Sequence, residues 1–182
     1  MAFFESADTP APRFDRERTP LPWEEGLGQT AFTDVILAKG SDGLVMLRNL
    51  IAYPNVMTLS VVALFRNPLV RGPGTRGQNS PTFGHSFGDE PLGAGTVLFG
   101  LCFSDGSHYR NLDERGSPGH LGGLQGGSRS YTGYKDFCAP LPPPGDLELW
   151  VAWPAAQIPE KRTVLDGTLI VESAAALRPP WE

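Results

Sequence analysis

Cysteine and histidine are scarce in this sequence, and their scarcity removes several classes of protein from consideration. There are only two cysteines, Cys102 and Cys138, and three histidines. Each cysteine lies in an apolar, strand-like stretch, which favours buried free thiols over a disulfide framework. No C-x-x-C or H-x-x-x-H pair places two zinc ligands on one turn, and no phosphate-binding loop is present. The sequence therefore predicts no metal site and no cofactor.

Charge is also sparse, and neither sign forms a strong patch. Charged residues make up 19% of the chain, and the formal net charge is −5. Nucleic-acid-binding proteins usually carry a basic face, because counterion release supplies much of their affinity. No apolar run reaches the roughly 18 residues of a membrane-spanning helix, and residues 1–25 lack the basic and apolar regions of a secretion signal. We therefore expect a cytoplasmic protein with no nucleic-acid or membrane partner.

Glycine and proline, in contrast, are abundant. The chain has 22 Gly and 18 Pro, while 40% of its residues are hydrophobic. Long helices tolerate few such residues, whereas short strands joined by turns use them at every connection. This composition predicts an all-β fold, an antiparallel β-sandwich of the immunoglobulin-like or jelly-roll-like kind, with long Gly-rich loops and a short C-terminal helix.

Alternating patterns locate the strands. In the run 56–65, Met57, Leu59, Val61 and Ala63 share one apolar face, which we expect to lie in the core. Asp42-Gly43 is typical of a two-residue hairpin turn. We predict strands at 33–39, 44–53, 56–65, 96–103, 108–111, 134–138, 147–153 and 163–165, a helix at 171–177, and two irregular loops at 66–95 and 113–133.

Three short stretches resemble a known group of proteins. They are FGLCFSDG at 99–106, LPPPGDL at 141–147 and WVAWPA at 150–155. Their order is similar to that in a group of uncharacterised actinobacterial proteins, with a G-V-x-F-x-D-G strand and turn, a Gly-rich loop, a P-L-P-P-P-G turn and a W-P-A strand end. The resemblance spans roughly residues 32–178. It implies one all-β domain of bacterial origin and carries no known activity.

The first 30 residues have a different character from the rest. They are rich in proline and charge, which is typical of an extended arm preceding a sandwich domain at 31–182. The arm contains four aromatic residues, Phe3, Phe4, Phe14 and Trp23. Three alternatives remain open for this arm: it is disordered, it wraps its own domain, or it docks these aromatic side chains onto a neighbouring subunit.

One motif suggests catalysis. Residues 84–88 read G-x-S-x-G around Ser86, and Asp105 or Asp113 followed by His120 would complete the order Ser, Asp, His of an α/β-hydrolase. A nucleophilic serine of that type needs a buried strand before it and a helix after it. The flanking residues are rich in Gly and Pro and predict neither element. A small serine hydrolase is therefore the alternative rather than the leading interpretation.

The second Gly-rich segment suggests recognition. It carries Arg129, Tyr131 and Tyr134, and arginine and tyrosine are favoured anchors in protein interfaces. Acidic residues in several turns leave a Ca²⁺- or carbohydrate-binding sandwich as a further alternative. With no convergent catalytic set or metal cluster, the sequence favours a non-enzymatic interaction module that binds a protein partner or another copy of itself.

Overall fold

Nine strands form the framework of the part of the chain that the computed structural model describes, which is residues 3–5, 26–66, 81–83, 95–113, 119–128 and 131–177. A single-turn 3₁₀ helix precedes the strands, and a second one follows the eighth strand. The elements are the 3₁₀ turns Phe3–Glu5 and Pro154–Ala156, the strands β1 (Gln29–Lys39), β2 (Gly43–Ala52), β3 (Val56–Phe65), β4 (Leu98–Cys102), β5 (His108–Arg110), β6 (Gly122–Ser128), β7 (Thr132–Pro140), β8 (Asp146–Trp153) and β9 (Ile158–Asp166), and the helix α1 (Gly167–Ala175).

The strands make two packed antiparallel sheets. One sheet has the order β1-β2-β3-β7-β6, and the other has the order β5-β4-β8-β9. Together with the short C-terminal helix, this architecture confirms the predicted all-β sandwich. The strand order, which the sequence left open, brings β7 beside β3 although they are far apart in the chain.

The first three strands form the meander that their pattern predicts. The turn before β2 is closed by the amide of Gly40, which donates to the carbonyl of Gly43 at 2.9 Å. β3 begins and ends at the predicted residues, and its apolar face, Met57, Leu59, Val61 and Ala63, is fully buried. An alternation of this kind places every second side chain between the sheets.

The prediction of one continuous loop over residues 113–133 was wrong for its second half. Gly122–Ser128 forms β6 and pairs with β7, with Gly126 opposite Lys135. Glycine is unfavourable in strands, so the local sequence does not predict this element. The pairing is compatible with the glycines because the Lys135 side chain lies where their Cβ atoms would be.

The C-terminal elements also differ from their predicted bounds. β9 extends from Ile158 to Asp166, whereas the apolar pattern indicated only residues 163–165. It is an edge strand paired only with β8, and its exposed polar residues obscure the alternation. The helix then begins at Gly167, earlier than predicted, because the Asp166 side chain caps it by accepting from the Thr168 amide at 2.9 Å.

Aromatic rings fill the space between the sheets. Phe99 of β4 stacks on Phe137 of β7 at a centroid distance of 5.0 Å, and Trp153 of β8 packs on Phe65 of β3 at 4.3 Å. Trp153 is completely buried, whereas Trp150 lies on the opposite face of β8. Their odd spacing explains this arrangement, because a strand with a two-residue period places only one of the two indoles on the core face.

A buried asparagine fixes the end of β5 against the start of β4. Asn111 donates from Nδ2 to the Val97 carbonyl at 2.8 Å and accepts at Oδ1 from the Phe99 amide at 2.9 Å. These bonds occupy backbone groups that would otherwise lack partners inside the fold.

In the described ranges, no helix combines the length and hydrophobicity that a membrane crossing needs.

Candidate functional site

The outer face of the four-stranded sheet has a central gap in its side-chain cover. In the register of the sheet, Gly100 of β4 lies between Arg110 of β5 and Trp150 of β8, and Trp150 is opposite Arg162 of β9. Because Gly100 has no side chain, large groups flank a bare stretch of backbone. This gap can accept a ring from outside the sheet.

The ring of Phe3 fills that gap. It lies parallel to the Trp150 indole, with centroids 5.1 Å apart and 3° between the planes, and it meets the His108 ring edge-on at 6.1 Å. A Cβ atom at Gly100 would overlap Cε1 of the Phe3 ring. Offset or parallel stacking and edge-to-face contacts are the favourable geometries of aromatic pairs. The site is therefore shaped for an aromatic ring.

The backbone of the same segment is also held. The carboxylate of Glu160 on β9 accepts from the amide of Phe3 at 2.9 Å through Oε1 and from the amide of Phe4 at 3.2 Å through Oε2. Nη1 of Arg110 donates to the carbonyl of Phe3 at 3.4 Å. Glu160 thus binds backbone N–H groups, and Arg110 binds a backbone carbonyl of the same segment. Because donors and acceptors are recognised separately, the site selects the direction of the bound chain as well as its aromatic ring.

Trp150 and Arg110 are themselves oriented by carboxylates. The indole Nε1 of Trp150 donates to Glu148 at 2.9 Å, and Glu148 also pairs with Arg162 at 2.9 Å. The guanidinium carbon of Arg162 is 6.0 Å from the Trp150 ring.

Asp113 plays the same part for Arg110, whose Nε and Nη2 it binds at 3.0 Å. Such second contacts hold a recognition site in its bound geometry before the ligand arrives. We call Gly100, His108, Arg110, Trp150 and Glu160 the arm site.

Two groups beside the arm site have displaced pKa values. Burial raises the pKa of the Cys102 thiol above its usual value of 9.0, and the carboxylates of Glu148 and Asp105 raise it further. The pKa of Asp105 is lowered, chiefly because the Ser107 hydroxyl and then the Ser107 amide donate to its carboxylate. Neither shift activates a nucleophile, because a raised thiol pKa reduces the thiolate fraction.

The predicted arm residues are only partly within the described ranges. Phe3 and Phe4 lie on the sandwich of their own chain, and their rings contact each other at 5.1 Å in an edge-to-face arrangement. Phe14 and Trp23 fall outside the described residues. The described part of the arm, Phe3–Glu5, contacts the sandwich of its own chain.

The predicted interaction loop lies at the other sheet. Tyr131 and Tyr134 are 48% and 47% exposed, and Arg129 is outside the described residues. Tyr134 is on β7 rather than in a loop, and its neighbours across the sheet are Val62 of β3 and Gly127 of β6. The structure therefore separates the two tyrosines from the arm site, since Tyr134 belongs to the five-stranded sheet and Tyr131 directly precedes its strand β7.

The described contacts of the residues of the alternative hydrolase are not those of a catalytic triad. Ser86 lies outside the described residues. Asp105 is in the turn between β4 and β5, where Ser107 is its partner. The Nδ1 atom of His120 faces the backbone carbonyl of Asp113 at 2.7 Å, and the Asp113 side chain binds Arg110. The hydrolase stays a hypothesis that serine-directed labelling would test.

Within the described ranges, no three or more His, Cys, Asp or Glu side chains come together in a way that would hold a metal ion. Cys102 and Cys138 do not form a disulfide with each other.

Sequence reasoning identified Phe3 but missed the residues that receive it. Gly100, Glu160 and Arg110 belong to three different strands, and no motif in the sequence marks them as binding residues. The one usable signal was Gly100 itself, a glycine inside an apolar strand pattern, because such a glycine often marks a close approach by another group.

Comparison with known proteins adds no relative. No protein-family model matches the chain, and neither the curated proteins nor the solved structures yielded a match.

Proposed function

We propose that this protein is a non-enzymatic β-sandwich interaction module, and that the arm site is its binding surface for an aromatic peptide segment. The N-terminal arm, through Phe3 and Phe4, is the segment bound to that surface in the structure. Cys102 and Cys138 form no disulfide, which suits the reducing compartment of a cytoplasmic protein.

The observation that carries this proposal is the fit of Phe3 above Gly100. Among the groups flanking the glycine, Trp150 stacks on the ring and His108 meets it edge-on. Glu160 then accepts both amides at the start of the bound segment. One gap in the sheet thus recognises a side chain and a backbone together, which is the pattern of a peptide site rather than of a filled core.

The expected affinity is modest. Burying a phenylalanine side chain contributes about 1.5–3 kcal/mol, and an aromatic pair adds about 0.5–1.5 kcal/mol. Ordering the arm opposes both contributions. A site of this strength is occupied when its ligand is tethered nearby and exchanges readily otherwise, which suits an interaction module with reversible partners.

A peptide-binding experiment tests the proposal. A synthetic peptide with the sequence of residues 1–8 is titrated into the full-length Phe3→Ala chain, in which the native arm has lost its ring. We expect saturable binding, seen by calorimetry and by a change in tryptophan fluorescence. We expect much weaker binding to the wild-type chain, because its own arm occupies the site.

Matched variants define the site. In the Phe3→Ala background, Gly100→Ala and Glu160→Gln should each lower the affinity at least several-fold, whereas Glu172→Gln, on an exposed position of α1, should leave it unchanged. A peptide carrying Ala at its third position should not bind. Equal binding of both peptides, or binding that is insensitive to Gly100 and Glu160, would show that the arm site is not a peptide site.

A further inference from the structure

We infer that the arm site also binds the N-terminal arm of a second copy of this chain, so that two copies associate by exchanging arms. This inference rests on the proposed function. The ligand is the Phe3-Phe4 segment, and the receptor is the arm site of the other copy. The resulting dimer would use, between its two copies, the same contacts that are seen within one chain.

The described contacts at the arm site can be made by the arm of either copy of the chain. Each described contact joins the site to Phe3 or Phe4, through the Phe3 ring, their two amides or the Phe3 carbonyl. A second copy of the segment, presented from outside the sheet, can make the same set of contacts.

The length of the connection allows both arrangements. Residues 6–25 join Glu5 to Gly26, and twenty residues reach up to about 70 Å when extended. A compact domain of this chain length has a radius of gyration of about 16 Å and hence a diameter near 40 Å. The connection is therefore long enough to leave its own domain and reach the face of a neighbour.

Tethering determines which arrangement prevails. Because the arm is covalently joined to its own domain, its effective concentration at its own site is high, in the millimolar range for short linkers. The intrachain contact should thus dominate in dilute solution, and exchange should appear when that contact is blocked. Two exchanged arms form a closed pair with the same interface on both copies, so each arm reinforces the other.

A complementation experiment with two full-length variants tests arm exchange. The Phe3→Ala chain keeps an intact arm site and lacks the ring, whereas the Gly100→Ala chain keeps an intact arm and has its site blocked by the new methyl group. We expect each variant alone to have the monomer mass in size-exclusion light scattering. Because only one arm–site contact of modest affinity can form in the equimolar mixture, the mixture is measured by static light scattering at high protein concentration, where we expect its average mass to rise above that of either variant alone.

A second variant that supplies an intact arm, called a donor like Gly100→Ala, controls for a folding defect. This control is needed because the new Cβ of Gly100→Ala would also lie 3.1 Å from the Tyr109 carbonyl. Glu160→Lys removes the acceptor of both arm amides on an edge strand, and it should complement Phe3→Ala in the same way. Adding Phe3→Ala to either donor should abolish the pair.

The outcomes separate this inference from the proposed function. If the mixtures with both donors stay at the monomer mass while the peptide of residues 1–8 binds the Phe3→Ala chain, arm exchange is wrong and the peptide site stands. If neither the peptide nor the second copy binds, both proposals fail. If pairs form equally well without Phe3, the copies associate through another surface, and arm exchange is again wrong.

Discussion

Phe3 and Trp150 stack with only 3° between their ring planes, although they come from opposite ends of the chain. The indole is held from its other side by Glu148, which accepts from Nε1 at 2.9 Å. Glu148 in turn pairs with Arg162. A surface tryptophan is thus fixed in one orientation and covered by a ring from the N-terminal arm.

The first prediction concerns the contribution of this stack to stability. Phe3→Ala should lower the free energy of unfolding by about 1–2 kcal/mol, because a half-buried ring and its aromatic contacts are lost. Phe3→Leu should lower it less, since burial is partly retained. Urea denaturation with tryptophan fluorescence measures both variants. Leu169→Ala, which truncates an exposed side chain on α1, is the control and should be nearly neutral.

The second prediction concerns Asn111. Asn111→Ala should lower the free energy of unfolding by about 2–4 kcal/mol, because the Phe99 amide and the Val97 carbonyl would both lose a buried partner. The isosteric Asn111→Asp retains an acceptor for Phe99 but, when ionised, no donor for Val97. Its stability should recover as the pH falls and the introduced carboxyl is protonated. Thermal unfolding of the two variants at several pH values checks this difference, and an unchanged Asn111→Ala midpoint would contradict it.

The third prediction concerns alkaline pH. Burial, and then the charge of Asp105, raise the pKa of Tyr109 from 10.0 to about 12 in the folded state. The stabilisation is complete below pH 10. Between pH 10 and 12 the unfolded chain ionises first, so the free energy of unfolding should fall by up to about 2–3 kcal/mol as the pH rises through this window. Tyr109→Phe should remove that part of the pH dependence.

The measurement for Tyr109 is denaturant unfolding at pH 9, 10, 11 and 12 in both chains. An absorbance titration of the folded protein should also reveal one tyrosine that ionises later than the others. If the wild type and Tyr109→Phe lost stability in parallel over this range, the buried phenol would not be the cause.

The fourth prediction compares two glycines of the paired strands β6 and β7. A Cβ at Gly133 would overlap the backbone carbonyl of Pro81, whereas a Cβ at Gly123 would meet only the end of the Lys135 side chain. Backbone cannot move aside cheaply, but a flexible side chain can. Gly133→Ala should therefore cost about 1–3 kcal/mol of unfolding free energy. Gly123→Ala is the matched variant and should cost far less, as thermal denaturation of the two chains would show.

The sequence predicted most where each residue's environment follows from its immediate neighbours. β3 was located to the residue because its alternation is uninterrupted. The turn before β2 was predicted in the right place but with the wrong central residues, which are Ser41 and Asp42 rather than Asp42 and Gly43, because Gly43 is already the first residue of β2. The distribution of Trp150 and Trp153 to opposite faces follows from their spacing alone. These features depend on the two-residue period of a strand and on turn geometry, which are local properties.

Where a residue's environment is formed by residues distant in the chain, the sequence predicted the secondary structure incompletely or wrongly. β6 contains four glycines and has little intrinsic preference for a strand, yet it pairs along β7, whose Lys135 and Tyr134 side chains lie over it. Likewise, the extent of β9 is set by its pairing with β8 rather than by its own apolar pattern. Long-range pairing overrides local propensity in both cases.

By itself, then, the sequence determined an all-β sandwich, the position of its first hairpins and the aromatic character of the N-terminal arm, because composition and period encode these directly. Only the tertiary structure decided where Phe3 binds. The arm site joins β4, β5, β8 and β9, so its ring gap, its carboxylate and its guanidinium come together only once the sheet has formed. Gly100 contributes to binding only in the folded sheet, because its missing side chain leaves room for a ring only when the neighbouring side chains surround it.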